Sequence, residues 1–158
     1  MFELLFLMSF TLHNIEESIW LPKWSKNARK YHPTVENNEF HFAVLVITVI
    51  GYILTFLFVI YGSHNLFIKY LYLGFIFFMC FNAIFPHLIA TIFLKKYAPG
   101  TLTGLILNVP IGLYIIFIKY GNKLDISKLL FSFFIIIVIA LILLKQLFRL
   151  GKKLIDSY

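Results

Sequence analysis

Five apolar runs, each near the length that crosses a bilayer, leave this chain few folds to adopt. They cover about residues 2–20, 39–61, 66–94, 101–119 and 126–148 of 158. A helix of roughly 20 apolar residues spans the hydrocarbon core. Only 13% of the residues are charged, against roughly 25% in soluble domains. The runs are continuously apolar rather than alternating, which argues against a β-barrel. The sequence therefore predicts an all-α fold: a single-domain, multi-pass transmembrane helical bundle of about five spans in the cell membrane. The lipid bilayer is its first partner.

Breakers separate the runs. Pro22 and the basic segment Lys23, Lys26, Arg29 and Lys30 close the first. His32-Pro33 disfavours helix, and Thr34, or else Asn37 or Asn38, is positioned to cap the second. Gly62-Ser63-His64-Asn65 reads as a tight turn, and so does Gly121-Asn122. Pro86 predicts a kink in span three, and Pro110 interrupts span four. Lys95-Lys96-Tyr97-Ala98-Pro99-Gly100 separates the two. The tail from Arg149 is basic and is expected to lie along the interface. The start has no basic segment and no small-residue cleavage site, so it is read as the first span rather than a signal peptide.

The net charge of +7 does not indicate nucleic-acid binding, because the cations sit in loops and at the C-terminus. One side of the predicted bundle holds Lys23, Lys26, Arg29, Lys30, Lys95, Lys96, Lys145, Arg149, Lys152 and Lys153. The other holds Lys69, Lys119, Lys123 and Lys128. The positive-inside rule places the first side in the cytoplasm, with the N-terminus outside and the C-terminus inside. That requires an odd number of spans, as five is. The single cysteine, Cys80, lies within a span and reads as a small buried apolar residue.

Polar residues then fall at one depth. His13, Glu16 and Glu17 lie in the inner third of span one, and Glu36, Glu39 and His41 at the inner end of span two. Asn82 and His87 lie in the inner half of span three; Thr101, Thr103 and Asn108 in that of span four. The outer half holds little besides Thr48, Thr55 and capping residues. Span five has no polar residue in its core and reads as lipid-facing or structural. An acid at a span centre costs about 2.5–3.5 kcal/mol, whereas each Leu, Ile or Phe returns about 0.3–0.6 kcal/mol. Ionisable groups within spans are functional by default.

Spacing suggests the chemistry. Positions three and four apart share a helix face, so His13 lies one turn from Glu16 and Glu17, and Trp20 extends the stripe. Imidazole and carboxylate at this spacing suit zinc or iron. His13, Glu17, His41 and His87 are the candidate metal ligands. Glu16 and Glu17 are the candidate catalytic carboxylates, and Asn82, Asn108 and Glu39 the candidate ligand-binding residues. Each has a structural alternative. The acids of span one can fix helix packing; Glu36 and Glu39 suit a helix start, where carboxylates meet the macrodipole. Gly104, Asn108 and Gly112 form a stripe typical of close helix packing. Thr101 and Thr103 read as caps, and Trp20, Trp24 and Tyr97 as interfacial anchors. No Gly-rich phosphate loop, cysteine pair, HExxH sequence or Gly-x-Ser-x-Gly elbow is present.

His13-x-x-Glu16-Glu17 near the start of a small multi-span chain resembles the bacterial HXXEE-motif family. So do Asn82-Ala-Ile-Phe-Pro-His87, Tyr97-Ala-Pro-Gly100-Thr-Leu-Thr103, Asn108 and Pro110. The resemblance implies a small integral membrane protein and no particular reaction. From the residues themselves, the expected function is a metal-dependent membrane enzyme acting on a lipophilic small molecule. The alternatives are a proton-coupled transporter or ligand-binding protein, and a purely structural membrane protein.

Overall fold

The computed structural model describes residues 1–28 and 34–155. Arg29, Lys30, His32 and Pro33, and the end of the tail from residue 156, lie outside the described residues. Within them the chain is helical and has no strand. Five helical rods follow one another: α1 (Phe2–Asn27), α2 (Asn37–Tyr61), α3 (Leu66–Leu94), α4 (Thr101–Lys119) and α5 (Ile126–Ile155). The last four are long and apolar enough to cross a membrane. At 26 residues α1 is long enough, but its three glutamates and the His13-Asn14 pair make it more polar than the rest.

Around the bundle the order is α1, α2, α5, α3, α4 and back to α1. Phe6 and Phe10 of α1 meet the ring of Phe75 edge-on, and Tyr72, Leu73, Ile76, Ile115 and Ile116 complete the buried centre. Small residues set the spacing. A Cβ on Gly112 would lie 2.4 Å from Cys80 Sγ, and one on Gly104 would lie 2.7 Å from Ala83 Cβ. The stripe read from the sequence thus brings α4 against α3. Asn108, between the two glycines, is fully buried.

α1 does not stop at Pro22. Proline lacks the N–H that would bond the carbonyl four residues earlier, which is Ser18. His41 Nε2 lies 2.8 Å from that carbonyl oxygen and supplies the missing donor from α2. The helix continues to Asn27 with its orphaned acceptor satisfied.

α3 does break. Phe85 leaves the helical region (φ −123°, ψ 114°), in keeping with the bias that proline imposes on the residue before it. The Phe85–Pro86 peptide is cis. Helix resumes at once and turns His87 inward. Lys95, with φ 50°, ends the rod in the left-handed conformation.

Three expectations need correction. The N-cap of α2 is Glu36, without a side-chain bond, rather than Thr34 or an asparagine. Span five is not free of polar groups: Ser132 is buried and its Oγ donates to the Tyr70 carbonyl at 2.6 Å. Finally, Arg149–Ile155 continues α5 instead of forming a separate interfacial segment. Gly151 packs so close to Glu39 that an added Cβ would lie 3.2 Å from its Cα.

Candidate metal centre

His13 and Glu17 share one face of α1, and His87 reaches them from α3 just past the break. Glu17 Oε1 lies 2.8 Å from His87 Nε2 and 3.6 Å from His13 Nε2. The three potential ligand atoms all fall within 4.8 Å of one another. Donor atoms around a tetrahedral zinc with bonds of about 2.0–2.2 Å stand about 3.3 Å apart, so modest side-chain adjustment would centre an ion. The two imidazoles meet edge to face at 5.3 Å, and both are buried. Asn82 completes the group: its amide nitrogen is 3.1 Å from His87 Nε2 and 3.4 Å from His13 Nε2.

The second carboxylate of the motif faces other partners. Glu16 Oε1 accepts from the Gly100 N–H at 2.7 Å and from the Tyr97 hydroxyl. Glu16 Oε2 accepts from the Thr103 N–H at 3.0 Å and from the Thr103 hydroxyl at 2.6 Å. These N–H groups belong to the first turn of α4, which lacks intrahelical acceptors. Glu16 therefore caps α4 from another helix, where the N-terminal dipole favours a negative charge. The expected caps do not perform this task. Gly100 stands at the N-cap without a side chain, and Thr101 Oγ1 donates backwards to the Ala98 carbonyl.

Thr103 links Glu16 to His13. Its hydroxyl carries one proton, which goes to Glu16 Oε2. His13 Nδ1 lies 3.2 Å from the same oxygen and must be the donor there. Neutral His13 is thereby held with its proton on Nδ1 and the lone pair on Nε2, facing Glu17 and His87. A bond of this kind at the ring nitrogen away from the metal fixes the tautomer of metal-ligating histidines. Gly100 is part of the same wall. Its φ of 89° and its closeness to both rings leave no room for a side chain: a Cβ would lie 2.9 Å from His13 Cε1 and 2.9 Å from His87 Cε1.

Not every expected residue comes to this point. His41 is exposed and occupied by the Ser18 carbonyl; the proline in α1 accounts for its position, and it is not among the clustered ligands. Glu39 lies at the start of α2 against Gly151. Asn108 sits deeper, accepting at Oδ1 from Ser9 Oγ at 2.5 Å, while its Nδ2 has no partner among the described residues. Asn14 donates to Thr48 Oγ1 at 2.8 Å.

A second polar group, not among the expected site residues, lies at the far end of the bundle. There Glu3 is buried, accepting from Lys119 Nζ at 2.5 Å and the Tyr120 hydroxyl at 2.8 Å. An acid inside the first apolar run, with a lysine ending a run of opposite direction, was the available signal. Tyr97 likewise does more than anchor, since its hydroxyl serves Glu16.

Residues 4–115 match the family described as "Protein of unknown function with HXXEE motif". A curated relative, "Uncharacterized protein YrkK" of Bacillus subtilis (strain 168), is 46% identical over 149 residues, which is 94% of each chain. No solved structure matches. The matched region holds His13, Glu16, Glu17, Asn82, His87, Gly100 and Thr103, which build or border the centre, and ends before α5 begins. With its motif histidine and acids at the heart of a helical bundle, this chain belongs to the HXXEE family.

Proposed function

We propose that the protein is a multi-pass membrane enzyme whose His13, Glu17 and His87 bind one divalent metal, zinc or iron, and that it acts on a lipophilic substrate. One observation carries this reading: three ligand atoms from two helices converge within 4.8 Å, with His13 held in the tautomer that aims its lone pair at the centre. Three protein ligands and an open position are the pattern of catalytic rather than structural zinc sites. Asn82, with its amide turned, offers a carbonyl oxygen to the same centre. A bound metal would supply Lewis acidity and an activated water. In this reading Glu17 is the carboxylate at the chemistry, and Glu16 positions His13 through Thr103.

In the same reading α1 is a fifth span, the N-terminus is outside, and the centre lies in the cytoplasmic half. The loop lysines and arginines support that orientation. Outward-facing Leu45, Val49, Ile53, Phe56, Phe131, Phe134 and Leu141 form more apolar surface than a water-soluble monomer exposes.

Elemental analysis of protein purified without chelator tests the proposal. About one metal per chain is expected, lost in His13→Ala and His87→Ala and retained in His41→Ala. Absence of metal in the wild type, together with no uptake of added zinc or iron, would overturn it. A proton-coupled transporter is the second reading, favoured by the 2.8 Å contact between Glu17 and His87, which can pass a proton without any metal. It predicts proton-dependent uptake abolished by Glu17→Gln in protein that binds no metal.

A further inference from the structure

A groove of about 680 Å³ runs along the outside of α1, walled on its other side by Tyr97, Pro99, Leu102 and Thr103. We propose that it holds one membrane lipid with an anionic phosphate headgroup, and that this lipid is the substrate class of the adjoining centre.

Among the described residues, the groove is mostly apolar and carries its one cation at one end, as an anionic lipid requires. Leu12, Ile15, Ile19 and Leu102 line its deeper part, and all four are exposed, so acyl chains would cover surface that otherwise faces the bilayer. Trp20, Lys23, Trp24 and Asn27 line the other end. Indoles and a lysine there suit the headgroup level of a leaflet. Lys23 is exposed and makes no ion pair with any described residue, whereas Lys26 nearby is committed to Glu36 at 3.3 Å. An anionic headgroup provides the missing counter-charge. The volume lies in the range of roughly 300–1,000 Å³ usual for small-molecule sites.

Register relates the groove to the centre. Glu16 lies seven residues before Lys23, about 10 Å deeper along the helix. A lipid with its phosphate at Lys23 places its glycerol and ester region beside Glu16, Pro99 and Thr103. All three line the groove, and Thr103 also lies 3.2 Å from His13 Nδ1, with Glu16 joined to that histidine through the Thr103 hydroxyl.

The lipid's occupancy stands by itself; its role as substrate rests on the metal-centre reading. The only two tryptophans of the chain, Trp20 and Trp24, both line the groove, so intrinsic fluorescence reports what fills it. The protein is reconstituted in phosphatidylcholine vesicles containing a small fraction of brominated phosphatidylglycerol or of brominated phosphatidylcholine. Brominated phosphatidylglycerol is expected to reach half-maximal quenching at about one-fifth of the fraction needed for the zwitterionic lipid, the preference one lysine confers. Lys23→Gln should abolish that preference and Lys26→Gln should keep it. Equal quenching by both lipids, or equal loss in both variants, would overturn the proposal. His87→Ala is measured in parallel. It should lose metal and keep the lipid preference, so failure at the groove and failure at the centre remain separate results.

Discussion

Glu16 and Glu17 are consecutive on α1, yet their carboxylates serve different parts of the bundle. Glu17 faces His87 at 2.8 Å, while Glu16 accepts four hydrogen bonds from residues 97–103. Their amides should therefore fail differently. Glu16→Gln places an NH₂ against donors and should lower stability by about 2–3 kcal/mol, the scale of bonds to a charged acceptor. Glu17→Gln should cost metal-free protein only about 1 kcal/mol and should abolish metal retention. Thermal unfolding in detergent and elemental analysis, run on both variants, separate the two roles.

Gly100 provides a test of the wall behind the histidines. Alanine there must adopt a positive φ, at about 1–2 kcal/mol, and its methyl would press on both imidazoles at 2.9 Å. Gly100→Ala should destabilise the protein and displace His13 and His87. Gly121→Ala, where an added Cβ meets nothing within 4 Å, should do neither. The imidazole resonances of the two variants give the readout.

Asn108 is fully buried, its Oδ1 bonded to Ser9 and its Nδ2 without a partner among the described residues. Ser9→Ala leaves the amide with less still and should cost about 1–3 kcal/mol, the desolvation of an orphaned polar group. The double variant Ser9→Ala/Asn108→Leu removes both polar groups and should recover most of that loss. A recovery absent from the melting curves would mean that Asn108 serves something other than this pair.

Tyr97 stands outside the apolar rods. Burial, and then its bond to Glu16, push its phenol up from 10.0 to about 12. The folded protein thus keeps a proton that the unfolded chain releases above pH 10. The resulting stability is complete below pH 10 and disappears as pH rises towards 12. Tyr97→Phe should remove this alkaline decline, as seen in unfolding temperatures measured between pH 9 and 12.

The fold was legible where local chemistry marks a boundary. Gly62-Ser63-His64-Asn65 and Tyr97-Ala-Pro-Gly100 frame the helices α3 (Leu66–Leu94) and α4 (Thr101–Lys119). Limits set by contacts between helices were not legible. α1 passes Pro22 because His41 comes from α2, and α5 outruns its apolar stretch where Gly151 meets Glu39. The same distinction holds at the centre. Spacing put His13 one turn from both acids, and common depth pointed to His87. Which acid would face His87 depends on the rotation of α1 against its neighbours, a relation that no spacing within α1 encodes. Depth misled for His41, whose partner is a backbone carbonyl that a proline leaves unbonded.

The cap on α4 has a consequence for how the protein is made. Glu16 leaves the ribosome long before Gly100 and Thr103, which follow it by 84 and 87 residues. A nascent chain that has completed only α1, α2 and α3 carries this acid without the groups that will receive it. Synthesis past Thr103 is then the step at which α1 acquires its permanent neighbour, and a chain truncated before that point should be the one that quality-control proteases recognise.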